Sequence, residues 1–416
     1  MAFLSLRTTS FRNLVDAQTD TSAKDVFLVG ENGQGKTNFL EALYFCAYAS
    51  SFRGVKDGDL VQSGETDFSA SAVLGQLQSN TINNCFTENS AVMLPNRISV
   101  KVEKSKKNIT LDGKKISDRK ELLDTIPIVV FCHEDMEFVS GSQERRRWFF
   151  DQTQSLYDPV YLDDLRKYRR LLKIRNAVLK DAKTGGDYHK VNELLDVLDP
   201  QLAEYGLRLM EKRSIAVERF SAVFSPLYRE VSGIEGITVE YAPSWRNVNF
   251  RQGSDAVLQQ DNNEIVVKRL AERRAADLIQ AVTISGPHRD RYLYVQTTSS
   301  GTHKSTSLHS RSEGTFAQNE RVAEFSGNAS TGQRRLLALL LRIAQSRCFS
   351  DFTGKMPVLL LDDVLLELDG EKRRRFLSVM PDYEQAFFTF LPEEPYKNYC
   401  NSVTLIYYVR DGEIVK

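Results

Sequence analysis

The chain has 416 residues, enough for roughly three domains and a sizeable core. Lys plus Arg equals Asp plus Glu at 55 each, so any basic surface is local and a uniformly basic nucleic-acid coat protein is excluded. No stretch of about 18 apolar residues occurs, which excludes a helical membrane span. The start, Met1 to Arg7, has no basic segment leading into a long apolar one, so secretion is not expected. Cys46, Cys85, Cys132, Cys348 and Cys400 are odd in number, far apart and without a Cys-x-x-Cys pair. They read as reduced thiols of a cytoplasmic protein.

Asp25 to Val29 is a short apolar run closed by Gly30, the pattern of a buried strand ending in a tight turn. From Lys36 to Tyr48, Phe39, Leu40, Leu43, Tyr44 and Ala47 recur at helical spacing and predict an amphipathic helix with one buried stripe. Residues 76–96, rich in Asn, Ser and Thr, read as a surface loop or hairpin tip. Residues 97–120 hold nine Lys or Arg against three acids, carried on strands with a turn at Asp112-Gly113. Between 151 and 275 the periodicity is helical. Leu165, Tyr168, Leu172 and Leu179 form one stripe, and a second helix is predicted to start at Asp199-Pro200, with Asp as N-cap, continuing through Leu202, Tyr205, Leu209 and Ala216. Strand-like runs return at 358–361 and 404–408, so the helical segment interrupts an α/β part. Residues 297–315, with 13 Ser, Thr or Gly in 19, read as a mobile loop.

The strongest motif is Gly30-Glu31-Asn32-Gly33-Gln34-Gly35-Lys36-Thr37, an instance of G-x-x-x-x-G-K-[ST] between the predicted strand and helix. Its backbone N–H groups can wrap phosphates, Lys36 supplies charge to the β and γ phosphates, and the Thr37 hydroxyl can ligate Mg²⁺. Far downstream, Val358 to Leu361 is an apolar strand ending in Asp362 and Asp363. Beside a phosphate loop, Asp362 would approach the Mg²⁺ shell, and Asp363 could orient or deprotonate an attacking water. Ser330-Thr331-Gly332-Gln333-Arg334-Arg335 precedes a leucine-rich helix. Ser330 is a natural N-cap, and that helix start could receive an anion or simply begin a helix.

Together Phe11-Arg12-Asn13, the 30–37 loop, Ser285-Gly286-Pro287-His288-Arg289-Asp290, the Ser330 signature and the 360–369 run resemble, in order and spacing, the RecF family of bacterial recombination mediators. These are ATPases with ABC-type heads, alongside SMC proteins. Phe52-Arg53, Glu134-Asp135, Arg145-Arg146-Arg147 and 168–176 extend the resemblance over nearly the full chain. It implies an α/β fold: an ABC-type ATPase head (P-loop NTPase) with an inserted, mainly helical lobe. The head would take 1–150 and 276–416, and the lobe 151–275. The resemblance also implies ATP and Mg²⁺ as ligands, with Gly30 to Thr37, Arg12 and Asn13 around the nucleotide. Thr37 and Asp362 would hold the metal, and Lys36, Asp362 and Asp363 would be catalytic. Ser330, Gly332 and Gln333 would meet the γ-phosphate of a second copy in an ATP-dependent homodimer, with Asp369 at that interface. Slow, DNA-stimulated hydrolysis would release DNA, and RecO and RecR would act with the protein to load RecA at gaps. Departures from the family pattern are Thr331 and Arg334 in the signature, His133 before Glu134-Asp135, Leu366 in the Asp-Asp run, and Phe390 after Thr389; the 297–315 stretch is longer than usual. An SMC-like structural chromosome ATPase is the alternative, although its tether needs hundreds of coiled-coil residues. A nuclease or other phosphotransferase that uses the carboxylates directly on DNA or a metabolite ranks last, for want of a second acidic cluster for two metals.

For DNA, Arg166, Arg169, Arg170 and Lys173 share a helix face that is either a phosphate-tracking ridge or a solvated surface. The basic 97–120 stretch carries the same two readings, while Arg145 to Arg147 read as packing or domain-junction residues. Sequence-independent binding to duplexes, single-strand/duplex junctions or gaps is expected. His288 reads as a structural residue at a strand entrance rather than a nucleotide contact.

Overall fold

The structure, a computed structural model, describes residues 1–77, 96–118, 120–123, 125–246, 248, 256–299, 320–365 and 370–416. Two compact units are present: Met1–Asp135 with Gln345–Lys416, and Met136–Ala344. In chain order the first stretch holds β1 (Ala2–Thr9), β2 (Ala17–Asp20), β3 (Asp25–Val29), α1 (Lys36–Tyr48), β4 (Phe68–Gly75), β5 (Asn96–Glu103), β6 (Lys106–Leu111), β7 (Lys114–Lys115), α2 (Lys120–Leu123) and β8 (Ile128–Phe131). The middle holds α3 (Met136–Ser140), α4 (Gln143–Ser155), α5 (Pro159–Lys183), α6 (Tyr188–Ser232), β9 (Ile237–Ala242), α7 (Ala256–Gln280), β10 (Arg291–Ser299), β11 (Glu320–Glu324), α8 (Phe325–Asn328) and the start of α9 (Thr331–Thr353). The chain then runs through β12 (Val358–Leu361), α10 (Gly370–Ser378), β13 (Gln385–Phe390), β14 (Leu405–Arg410) and β15 (Glu413–Val415).

The first unit has two six-stranded sheets. One is antiparallel, in the order β2-β1-β4-β5-β6-β7. The other, β15-β14-β3-β13-β12-β8, is parallel except for the β14–β15 hairpin. Buried parallel strands read as continuous apolar runs, and Asp25–Val29, Val358–Leu361 and Ile128–Phe131 are buried at every position. Helix α1 packs against β4 and β5 of the first sheet and β13 of the second. It is therefore buried on nearly every side, from Phe39 through Tyr48, rather than along a single stripe. In the basic strands, two lysines are already paired: Lys107 Nζ donates to Asp57 at 2.8 Å and Lys101 Nζ sits 2.6 Å from Glu103.

The second unit is mainly helical, with the antiparallel sheet β11-β10-β9. Tyr161, Leu165 and Tyr168 of α5 pack with Leu202, Leu209 and Met210 of α6 and Leu270 of α7 around the fully buried Trp245. The predicted helix start at Asp199-Pro200 is not there. Helix α6 runs unbroken from an Asp187 N-cap to Gly233 with Pro200 inside it. An interior proline costs a helix about 3 kcal/mol, and here the flanking residues offset it. Leu202 and Ala203 are buried, and Asp199, instead of capping, accepts from Arg175 Nε at 2.8 Å and Arg274 NH2 at 2.8 Å.

The second unit also extends beyond 151–275 in both directions, because β10 pairs with β9 and Arg146 of α4 donates to Tyr292 O and Val139 O. Of the polar stretch 297–315, residues 297–299 belong to β10; 300–315 lie outside the described residues, as do 78–95 of the predicted hairpin tip and Asp369. Among the described residues no helix is long and apolar enough to cross a membrane, and Cys46, Cys132, Cys348 and Cys400 form no disulfide.

Candidate functional site: a phosphate loop against two carboxylates

The site lies in the first unit, at the carboxyl edge of the parallel sheet, where open α/β sheets place their ligands. Strands β3 and β12 flank β13, so the loop after β3, the carboxylates after β12 and the end of β13 converge. The Thr37 hydroxyl donates to Asp362 Oδ1 at 2.9 Å, joining the two motifs. Lys36, buried at the head of α1, donates from Nζ to Gly30 O at 2.6 Å and Glu31 O at 3.2 Å. Glu31, Asn32 and Gly33 are exposed on the outer curve of the loop.

Two glycines make this curve possible. Gly35 has φ 119°, and a Cβ there would sit 3.1 Å from Asn13 Oδ1. At Gly30 a Cβ would run into Val409 O. The loop is braced from outside: Asn13 Nδ2 donates to Gly33 O at 3.2 Å, and Asn38 Nδ2 donates to Asn13 Oδ1 at 2.7 Å. Arg12 is held by Glu41, with Nε donating at 3.0 Å to a carboxylate that also accepts from the Ser51 hydroxyl.

Burial, and next the neighbouring Asp363, pushes Asp362 up to about 7; the Thr37 hydrogen bond and Arg53 oppose this, while Glu134 adds to it. Asp363 has φ 51°, a left-handed conformation costly for a residue with a side chain. Thr389 holds it there, accepting from Asp363 N at 2.7 Å and donating to Asp363 Oδ1 at 2.9 Å. Mg²⁺ takes hard oxygen ligands, usually one or two from protein with water and phosphate completing the shell. The Thr37 hydroxyl beside a buried, under-compensated Asp362 fits that donor set, and no cluster of three or more His, Cys, Asp or Glu suited to a metal exists among the described residues.

A family model described as the RecF/RecN/SMC N terminal domain matches residues 3–414. The DNA replication and repair protein RecF of Treponema pallidum (strain Nichols) is 36% identical over 97% of this chain and 98% of its own length. The chain belongs to the RecF family. RecF of Oenococcus oeni (strain ATCC BAA-331 / PSU-1) is 29% identical over 99% of this chain and 98% of its own length. A solved structure of the recombination mediator protein RecF-ATPrS in the RecFOR pathway aligns with TM-score 0.77 and 25% identity, covering 100% of this chain and 98% of that one.

Within this RecF-family chain, Gly30 to Thr37, Asp362 and Asp363 come together, with Arg12 and Asn13 behind the loop. Ser330, Gly332 and Gln333 lie in the second unit at the first turn of α9. There Ser330 N donates to Gln333 Oε1 at 2.8 Å and Gln333 N to Ser330 Oγ at 3.3 Å, a reciprocal cap. Arg166, Arg169, Arg170 and Lys173 are exposed on α5, but Arg169 NH2 is bound to Asp151 at 3.2 Å. Arg175, a member of the same basic run, is fully buried. His288 is enclosed: Thr283 O accepts from Nε2 at 2.8 Å, so Nδ1 accepts from the Tyr168 hydroxyl at 2.7 Å.

Sequence reasoning missed the role of Thr389, the electrostatic reach of Arg53 and Glu134 to Asp362, and the β14–β15 turn. That turn binds the loop directly: Asp411 N donates to Gln34 Oε1 at 2.6 Å and Gly412 N to Gln34 O at 2.9 Å. Arg53, Glu134 and Thr389 each had a signal, as residues that match the family pattern, but none of them was given a task.

Proposed function

We propose that this RecF-family protein is an ATP-switched DNA clamp of recombinational and replication-gap repair, hydrolysing ATP slowly and faster on DNA. The observation that carries the reading is the 2.9 Å bond between Thr37 and Asp362, which joins a phosphate loop to a carboxylate pair. The loop N–H groups and the N-terminus of α1 bind the phosphates, and Lys36 exchanges Gly30 O and Glu31 O for phosphate oxygens. Arg12, held by Glu41, and Asn13, tied to Gly33, complete the nucleotide-facing set. Thr37 and Asp362 would hold Mg²⁺, which when bound neutralises charge building up on the transferred phosphate. Asp363, fixed by Thr389, takes the proton of the attacking water.

Ser330, Gly332 and Gln333 act on the γ-phosphate bound by a second copy, so ATP closes a homodimer. Asp369, outside the described residues, belongs to that interface. DNA lies along Arg166, Arg169, Arg170 and Lys173, read by backbone charge and not by sequence. RecO and RecR are the expected partners and RecA the protein loaded, all in the cytoplasm. An SMC-like tether fits poorly: α5 and α6, of 25 and 45 residues, give an arm of about 70 Å at most at 1.5 Å per residue.

Light scattering with and without ATP and Mg²⁺ tests the clamp. The mass should double with nucleotide and remain single in Ser330→Arg, which still binds ATP. Normal dimerisation of Ser330→Arg would sink the sandwich.

A further inference from the structure

A cavity of about 770 Å³ opens in the second unit, between α4, α5 and the turn preceding β10, and shares no residue with the phosphate loop. Five arginines line it against two carboxylates. Of these residues Arg213 is structural: it donates to Asp151 at 2.8 Å, to Asp290 at 2.8 Å and to Pro287 O at 2.7 Å, and is buried. Asp151 also accepts from Arg169, so that carboxylate is fully engaged. Arg145, Arg147 and Arg289 remain, against the single carboxylate of Glu144. Arg147 donates to Asp290 O at 2.7 Å, a backbone carbonyl that cancels no charge. Among the described residues no carboxylate lies within ion-pair distance of Arg145 or Arg289. Their like charges, gathered at one concavity, repel one another unless an anion joins them. Burial, and next Arg213, pull Arg147 below the ordinary arginine value, while Asp290, Asp151 and Glu144 oppose the shift.

Two further features sit at the same cavity. Ser142, one of its lining residues, caps α4, whose first-turn N–H groups favour negative charge. Trp148, 36% exposed, is stacked on Phe138 at 28° with centroids 5.7 Å apart, which fixes the indole plane at the cavity wall. A fixed indole beside unpaired arginines suits a ligand with both an anionic and a flat aromatic part.

We infer that this cavity is a second anion site, which receives a phosphate ester carrying a base: Arg145, Arg147 and Arg289 take the phosphate, and Trp148 stacks on the base. The source is either one nucleotide unit of a nucleic-acid strand or a free nucleotide. The inference does not depend on the clamp reading, since the residues and their charge stand whether or not ATP closes a dimer.

The chain has two tryptophans, and Trp245 is fully buried, so ligand quenching of indole fluorescence reports on Trp148. The full chain carrying Lys36→Ala, which disables the phosphate loop, is titrated with three probes: an oligo-dT tetranucleotide, AMP, and an Asp-Glu hexapeptide. The tetranucleotide or AMP should quench saturably, with Trp148→Phe abolishing the signal. The double change Arg145→Glu, Arg289→Glu should weaken binding at least tenfold and, made in the chain that keeps Lys36, should leave ATP binding at the phosphate loop intact. Preference for the tetranucleotide identifies a strand as the source, and preference for AMP a free nucleotide. Equal binding by the acidic peptide, or an affinity within twofold after double charge reversal, would overturn the site. Circular dichroism of each variant separates loss of binding from loss of fold.

Discussion

Thr37 and Asp362, separated by 325 positions in the chain, share a hydrogen bond of 2.9 Å. Parallel pairing of β13 with both β3 and β12 brings them there, and Asp363 comes with its neighbour. Replacing Asp363 by Asn keeps the shape and removes the proposed proton acceptor. ATP turnover should fall by roughly 10² to 10⁴, the usual worth of a general base. Binding of a fluorescent ATP analogue should change less than threefold, whereas Lys36→Ala should abolish it. Equal loss of binding and turnover in Asp363→Asn would make that residue a nucleotide ligand instead.

Thr389 grips the N–H and the carboxylate of Asp363 while Asp363 occupies φ 51°, so in the proposed mechanism it positions the base. Thr389→Val preserves volume and removes both bonds. The expected result is a drop in turnover of about tenfold with unchanged ATP affinity, and recovery in Thr389→Ser, which restores the hydroxyl. A Ser variant no better than Val would show that the methyl group, not the hydroxyl, matters.

His288 is pulled down to about 4, mainly by burial, with Arg289, Arg147 and Arg213 adding to the effect and its bond to Thr283 O opposing it. The folded state therefore binds this proton less readily than the unfolded state. The stabilisation is complete above about 6.5 and is lost as pH falls toward 4, on the order of 3 kcal/mol in total. Urea unfolding of the wild type and of His288→Gln between pH 7.5 and 4.5 measures it. The variant should lose less stability across that interval.

Arg175 sits fully buried between Asp199 and Asp277, at 2.8 and 2.6 Å. Removing it leaves buried Asp277 without its ion-pair partner and Asp199 with Arg274 alone, and Arg175→Ala should cost about 3 to 5 kcal/mol. Arg170→Ala, one turn earlier and exposed, should stay within about 0.5 kcal/mol. Chemical denaturation of the two variants separates the buried arginine from the exposed one.

These residues also mark what could be read from the sequence. The phosphate loop and the strand before Asp362 were legible because each is a local pattern: glycines at fixed offsets, and an apolar run ending in acids. Arg175 was not, since it stands in a basic run and only partners 24 and 102 residues away make it a core residue. Asp199-Pro200 has the composition of a helix start, and only the ion pairs from α5 and α7 show it to be helix interior. Thr389 could be matched to a family pattern but not given a task, because the carboxylate it grips belongs to the neighbouring strand.

The turn between β14 and β15 clasps Gln34 across 377 residues, and its Gly412 carbonyl also accepts from Val15 N. On the ribosome, therefore, the nucleotide pocket is among the last parts of the molecule to be finished. Its loop emerges early, yet the backbone that steadies it is translated more than 370 residues later. A nascent chain in that interval has the braces from Asn13 and Asn38 but not the clasp on Gln34, so its loop is held on one side and ligand should do little to rescue half-made molecules. Pulse-labelled chains stalled before β14 should be digested equally fast with or without nucleotide, whereas released chains should gain protection.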